Sequence, residues 1–143
     1  MKKVEASIEI AAAPERVWSV VSDLQSFPSW NPFMTRASGQ LREGSRLEIT
    51  IEPPGGKPMT FKPRVLRVEP EREIRWLGRF LLPGLFDGEH SLRITPNASG
   101  GSTFTQSEKF RGILTWVSGK LFERTHSGFE AMNLALKERC EAD

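Results

Sequence analysis

The sequence predicts an α+β fold: a curved antiparallel sheet of about seven strands wrapped around a long C-terminal helix, with two short helices after the first strand. Three observations carry this. VEASIEI, Val4 to Ile10, sets Val4, Ala6, Ile8 and Ile10 against Glu5, Ser7 and Glu9, the period of a half-buried strand. Between Met34 and Phe110 further alternating segments are punctuated by PPGG, LPGL and NASGG, which are turn signals. From Gly112 to Cys140 there is no proline, and apolar residues recur at helical spacing.

The elements follow in order. Pro14 opens PERVWSVVSDL, giving up a backbone donor that would be orphaned in the first turn of a helix. Val17, Trp18, Val21 and Leu24 form its apolar face, and Trp18 belongs to the core. Ser22 or Asp23 restarts a short turn or helix over DLQSFPSW, which Pro28 and Pro32 prevent from continuing far. Strands are then expected at MTRAS, RLEITIE, MTFKPRVLRVEP, REIRWLGRF, GEHSLRITP and STFTQSEKF. Pro63, inside the third of these, marks an edge or a bulge. In the terminal helix Ile113, Trp116, Val117, Leu121 and Phe122 share a side that Phe129, Met132 and Leu136 continue. Gly119 and Gly128 lower its propensity by about 1 kcal/mol each and suit close packing or a bend.

Composition narrows the function classes. At 143 residues one domain over 1–143 is expected, long enough to bury a core. With 38% hydrophobic and 27% charged residues the chain is globular. Its 20 basic residues are interspersed with 18 acidic ones, so no basic tract suggests nucleic acid as a partner. Glu5 and Glu9 interrupt the N-terminal apolar run, which argues against a signal peptide. No run approaches the roughly 20 residues of a membrane span. The lone Cys140 cannot form an internal disulfide, which suits a reducing cytoplasm, and with no His near it in sequence it reads as an inert thiol. The two histidines, His90 and His126, are too few for a metal cluster, and no phosphate loop, dinucleotide fingerprint or nucleophile elbow is present. Neither a metal nor a cofactor is expected. His126 reads as an exposed or packing residue of the terminal helix.

The penultimate hairpin is the most informative stretch. Phe104, Gln106, Glu108 and Phe110 share one face of STFTQSEKF, and His90, Leu92 and Ile94 share one face of GEHSLRI, with Glu89, Ser91 and Arg93 facing out. Closing the hairpin over NASGG sets Ile94 opposite Phe104, Leu92 opposite Gln106 and His90 opposite Glu108, with opposed Cβ atoms about 5 Å apart. A slip of two residues would instead pair His90 with Gln106. A buried carboxylate needs a partner, and a His–Glu couple on a concave apolar face has two uses. It can shape the pocket or hold a ligand hydroxyl, or it can exchange protons as a general acid–base couple.

Aromatic residues from separate elements suit an apolar cavity: Trp30, Phe33, Phe61, Trp76, Phe86, Phe104, Phe110, Trp116 and Phe122. Each of them is equally suited to filling the core. FPSWNPF, Phe27 to Phe33, reads as a rigid wall of the cavity entrance, with Asn31 holding the turn and Trp30 and Phe33 directed at the rim; a packed corner is the other reading. RFLLPGLF, Arg79 to Phe86, suits a flap on the opposite rim.

PERVWSVVSD, FPSWNPF, RVLRVEPEREIRW, the penultimate hairpin and the terminal helix, taken together, resemble the SRPBCC superfamily of START-like or helix-grip proteins, and within it the bacterial polyketide cyclase/dehydratase-like branch. The resemblance spans essentially the whole chain. It implies a sheet gripping the terminal helix with a hydrophobic ligand cavity between them, but no shared catalytic motif. A binding protein for a small lipid-like or aromatic polyketide-like molecule is the first functional expectation. An enzyme of the cyclase or dehydratase type using His90 and Glu108 is the second. A protein-interaction module like the relatives that activate a heat-shock chaperone is the third.

Overall fold

The computed structural model describes residues 2–80, 86–112 and 119–142. The chain runs β1 (Lys2–Ile10), α1 (Pro14–Val21), a 3-10 turn (Leu24–Ser26), α2 (Phe27–Trp30), β2 (Met34–Ser38), β3 (Glu48–Ile51), β4 (Met59–Phe61), β5 (Arg64–Glu69), β6 (Glu73–Phe80), β7 (Phe86–Pro96), β8 (Ser102–Arg111) and α3 (Gly119–Glu141). The strands pair antiparallel in two sheets, one ordered β1-β8-β7-β6-β5 and the other β2-β3-β4.

Eight strands stand among the described residues where about seven were expected, and Pro63 is the reason. MTFKPRVLRVEP splits there into β4 and β5, because proline cannot donate to a ladder. The sheets stay tied beside the break by an Arg46–Arg64 bridge and by Leu47 N–H donating to the Pro63 carbonyl at 2.9 Å. FPSW, within the short turn or helix expected over DLQSFPSW, is a single helical turn with Pro28 in its first positions, where the missing N–H is harmless. Asn31 accepts from the backbone N–H groups of Phe33 at 3.0 Å and Met34 at 2.9 Å, so it holds the turn into β2.

α3 lies against the five-stranded sheet, burying Phe122, Thr125, Gly128, Phe129, Met132, Asn133, Leu136 and Cys140. Of the residues expected to begin this helix, 113–118 lie outside the described set. The far end of α3 is pinned to the start of the chain: Arg16 donates to the carbonyls of Arg139 and Cys140, and Glu141 accepts from Ala11 N–H at 2.7 Å. Cys140 is buried, which pushes its thiol up to about 11. On the outer face Ser91 is also buried, because its hydroxyl donates to Glu73 at 2.7 Å. Burial of Glu73 opposes its charge, but Ser91 and Arg75 outweigh it and hold the carboxyl below its ordinary range.

Gly128 is where helix and loop meet. A Cβ there would overlap the Phe33 ring, which is itself buried edge-on against Phe129 at 5.8 Å. Two effects compete in Gly128→Ala: about 1 kcal/mol of helix propensity gained and about 1–3 kcal/mol of overpacking lost. Phe33 is buried and held edge-on by Phe129, so overpacking wins and the urea midpoint falls. Gly119→Ala, which meets nothing within 4 Å, shows no such loss.

Candidate functional site

β6, β7, β8 and β1 place two rows of side chains across the concave face. Trp76, His90, Glu108 and Val4 stand in one row, and Ile74, Leu92, Gln106 and Ala6 in the next. The register of β7 and β8 sets His90 opposite Glu108, Leu92 opposite Gln106 and Ile94 opposite Phe104. His90 nevertheless reaches both candidate partners: its Nδ1 lies 3.1 Å from Glu108 Oε1 and its Nε2 lies 3.1 Å from Gln106 Oε1.

The ring is clamped. Trp76 stacks on it at 5.1 Å with 15° between planes, and Phe129 of α3 meets it edge-on at 5.1 Å. The polar contacts continue past Gln106. Its Nε2 donates to Asn133 Oδ1 at 2.8 Å, and Asn133 Nδ2 donates to the Ala6 carbonyl at 3.2 Å. A chain of side chains thus runs from the backbone of β1, through α3, to the carboxyl of Glu108. His90, Gln106 and Asn133 are all buried, so each contact forms where an unmade one would cost about 1–3 kcal/mol.

The carboxyl ends at a cavity of about 170 Å³. Trp76, His90, Glu108 and Phe110 form its wall on the five-stranded sheet, Met34, Ile51, Met59 and Phe61 its wall on the other sheet, and Phe33, Leu121 and Thr125 the remainder. The wall is mostly apolar, with Glu108, His90 and Thr125 its polar points. Glu108 Oε2 has room because of Gly88: a Cβ at that position would overlap this oxygen. A larger, open concavity of about 510 Å³ lies toward the β5–β6 turn. It mixes exposed charges of both signs, including Glu71, Arg72 and Arg93, and holds no comparable buried array.

Of the residues expected to meet a ligand, Phe33, Phe61, Trp76, His90, Glu108 and Phe110 line the cavity. Trp30 does not; it is half-buried, edge-on to Phe27 at 5.3 Å, because the α2 turn directs it away from Phe33. Phe104 is fully buried opposite Ile94 and fills the core. Gln106 stands behind His90 rather than on the wall. The side chain of Phe86, all of Trp116 and residues 81–85 of the flap expected over Arg79 to Phe86 lie outside the described residues. His126 is exposed on α3, 3.3 Å from Glu130. Sequence reading passed over Met34, Ile51, Met59, Leu121, Thr125 and Asn133. For Asn133 a signal existed: an amide inside the apolar stripe of Phe129, Met132 and Leu136.

A curved antiparallel sheet gripping a long C-terminal helix, with a cavity between, defines the START-like helix-grip class. The chain belongs to the family described as polyketide cyclase / dehydrase and lipid transport, whose profile matches residues 1–141. No curated protein sequence matches the chain. Among solved structures it is similar to a START superfamily protein from Mycobacterium smegmatis, at 21% identity, TM-score 0.77 and 97% of both chains. It is similar to DynU16, a protein of the dynemicin biosynthetic locus, at 19% identity and TM-score 0.75, covering 99% of this chain and 48% of that one. It also resembles the di-domain ARO/CYC BexL of the BE-7585A biosynthetic pathway, at 13% identity and TM-score 0.75, covering 99% of this chain and 50% of that one. At these identities the likenesses speak to the fold. Among the described residues no helix is long and apolar enough to cross a membrane.

Gly88→Ala tests the geometry of the pair. The added methyl displaces a flexible carboxyl rather than backbone, so the thermal transition is retained. The His90–Glu108 contact is lost, and the ¹⁵N resonances of the His90 ring shift. Unchanged ring resonances would contradict this arrangement.

Proposed function

We propose that the protein binds a small hydrophobic molecule in the cavity between α3 and the two sheets, with the polar group of that molecule directed at Glu108. The carrying observation is a preformed apolar cavity whose wall holds one hydrogen-bonded His–Glu pair. The family's association with polyketide chemistry and lipid transport supports the reading. The size narrows the ligand. Drug-sized sites span about 300–1,000 Å³, whereas a dry cavity of about 150 Å³ takes up benzene. At about 170 Å³ the space suits a single ring or a short branched chain better than a fused polyketide or a long acyl chain.

Single-ring aromatics are expected to bind stoichiometrically, as read by calorimetry. Trp76 forms part of the wall, so its fluorescence is expected to change on binding, and Trp76→Phe removes that change. Absence of binding by every apolar probe would sink the proposal.

A second reading, proton-transfer chemistry of the cyclase or dehydratase type, is favoured by the contact of His90 with Glu108 at the cavity wall. Glu108→Gln separates the two. In a binding site it changes affinity by no more than about 1–3 kcal/mol. In an acid–base couple it removes about 10²–10⁴-fold in turnover with binding largely kept, and His90→Ala matches that loss without adding to it.

A further inference from the structure

We infer that the cavity takes a neutral, single-ring-sized molecule that donates a hydroxyl or N–H hydrogen to Glu108 Oε2, and that Gln106 and Asn133 are positioning residues that fix the polarity of this contact. The inference rests on the binding role proposed above and names its ligand class.

Hydrogen-bond direction can be followed from one end of the chain to the other. The Ala6 carbonyl only accepts, so the Asn133 atom facing it is the amide nitrogen. Asn133 Oδ1 then faces Gln106 and takes a hydrogen from its Nε2. Gln106 Oε1 is left toward His90, so His90 Nε2 carries a hydrogen. Reversing either amide would set two oxygens or two N–H groups face to face in a buried place. The backbone of β1 therefore fixes the tautomer of a ring two side chains away.

The consequence falls on Glu108. Nδ1 and Oε1 lie 3.1 Å apart, and two lone pairs do not hold that distance. One proton lies between them, on the ring or on the carboxyl. Oε2 carries no proton in either arrangement, and it makes no contact within the protein that satisfies it among the described residues. It is an acceptor in both cases, in the space that Gly88 leaves open. Among the described residues no Lys or Arg lines the cavity. A ligand carboxylate would thus enter an apolar wall without a counter-charge and face another acceptor. A hydroxyl finds its acceptor in Oε2, and Thr125 offers a second polar contact from α3.

Four probes of one ring size test this by calorimetry and ligand-detected NMR: p-cresol, toluene, 4-methylanisole and p-toluate. The expected order has p-cresol bound in preference to toluene and 4-methylanisole, with p-toluate excluded. In Glu108→Leu the p-cresol to toluene affinity ratio falls about 10-fold, the size of a lost hydrogen bond to a charged or strongly polar group. Glu108→Gln rescues the ratio relative to Leu, because its amide donates to Nδ1 and its carbonyl takes the place of Oε2. Asn133→Leu lowers the ratio while toluene binding is kept, and it mixes the tautomers of His90. An unchanged ratio in Glu108→Leu overturns the inference and leaves the binding role standing. Failure of all four probes to bind the wild-type protein overturns the binding role itself. Independently of any variant or probe, ¹⁵N NMR of the wild-type protein must show a hydrogen on His90 Nε2; its absence overturns the polarity argued here.

Discussion

The hydrogen bond from Asn133 to the Ala6 carbonyl is the point on which the site depends. β1 is an edge of its sheet, and α3 approaches it closely enough for a short side chain to reach its backbone. His90, Gln106 and Asn133 are buried between helix and sheet, so every polar group behind that bond must find its partner within the protein. One fixed acceptor, a peptide oxygen that cannot turn round, orders two amides and an imidazole in succession. The carboxyl at the cavity wall inherits its role from the neighbouring strand β1 by way of the helix.

Packing keeps that order. Trp76 and Phe129 hold the imidazole from face and edge, so the ring cannot turn to exchange its two nitrogens. Phe129 is set in turn by Phe33, and Phe33 by the absence of a side chain at Gly128. The rigid stretch FPSWNPF is thus less an entrance than an anchor. Its Asn31 fixes the turn, its Phe27 and Phe33 enter the core, and only Phe33 reaches the cavity. Both glycines make room, Gly128 for a ring and Gly88 for a carboxylate oxygen.

Much of this was legible in the sequence wherever one local rule decided. Strict alternation in VEASIEI and STFTQSEKF set which side chains face inward, and the NASGG turn set the register, so His90 and Glu108 could be paired before any coordinates. Local rules failed where distant segments decide. Pattern alone does not say that Trp30 turns away while Phe33, three residues on, turns in, because a single helical turn separates their directions. Nor does hairpin register show that His90 bonds Gln106 as well as Glu108: an imidazole has two nitrogens, and the diagonal neighbour on a twisted sheet is within reach. The stripe of α3 marks Asn133 as facing inward, but its partners depend on the spacing between α3 and β1, which no periodicity reports.

The break at Pro63 divides the labour of the cavity wall. The polar side chains His90 and Glu108 line the cavity from one sheet, while Ile51, Met59 and Phe61 bound the space from the other. The sheets share few ladder bonds at the junction. Substitutions in the β3–β4 hairpin therefore change which shapes are admitted without disturbing the hydrogen-bonded relay. Under the proposed binding role, a descendant of this chain can change the shape it admits by remodelling one short hairpin and keep the relay unchanged.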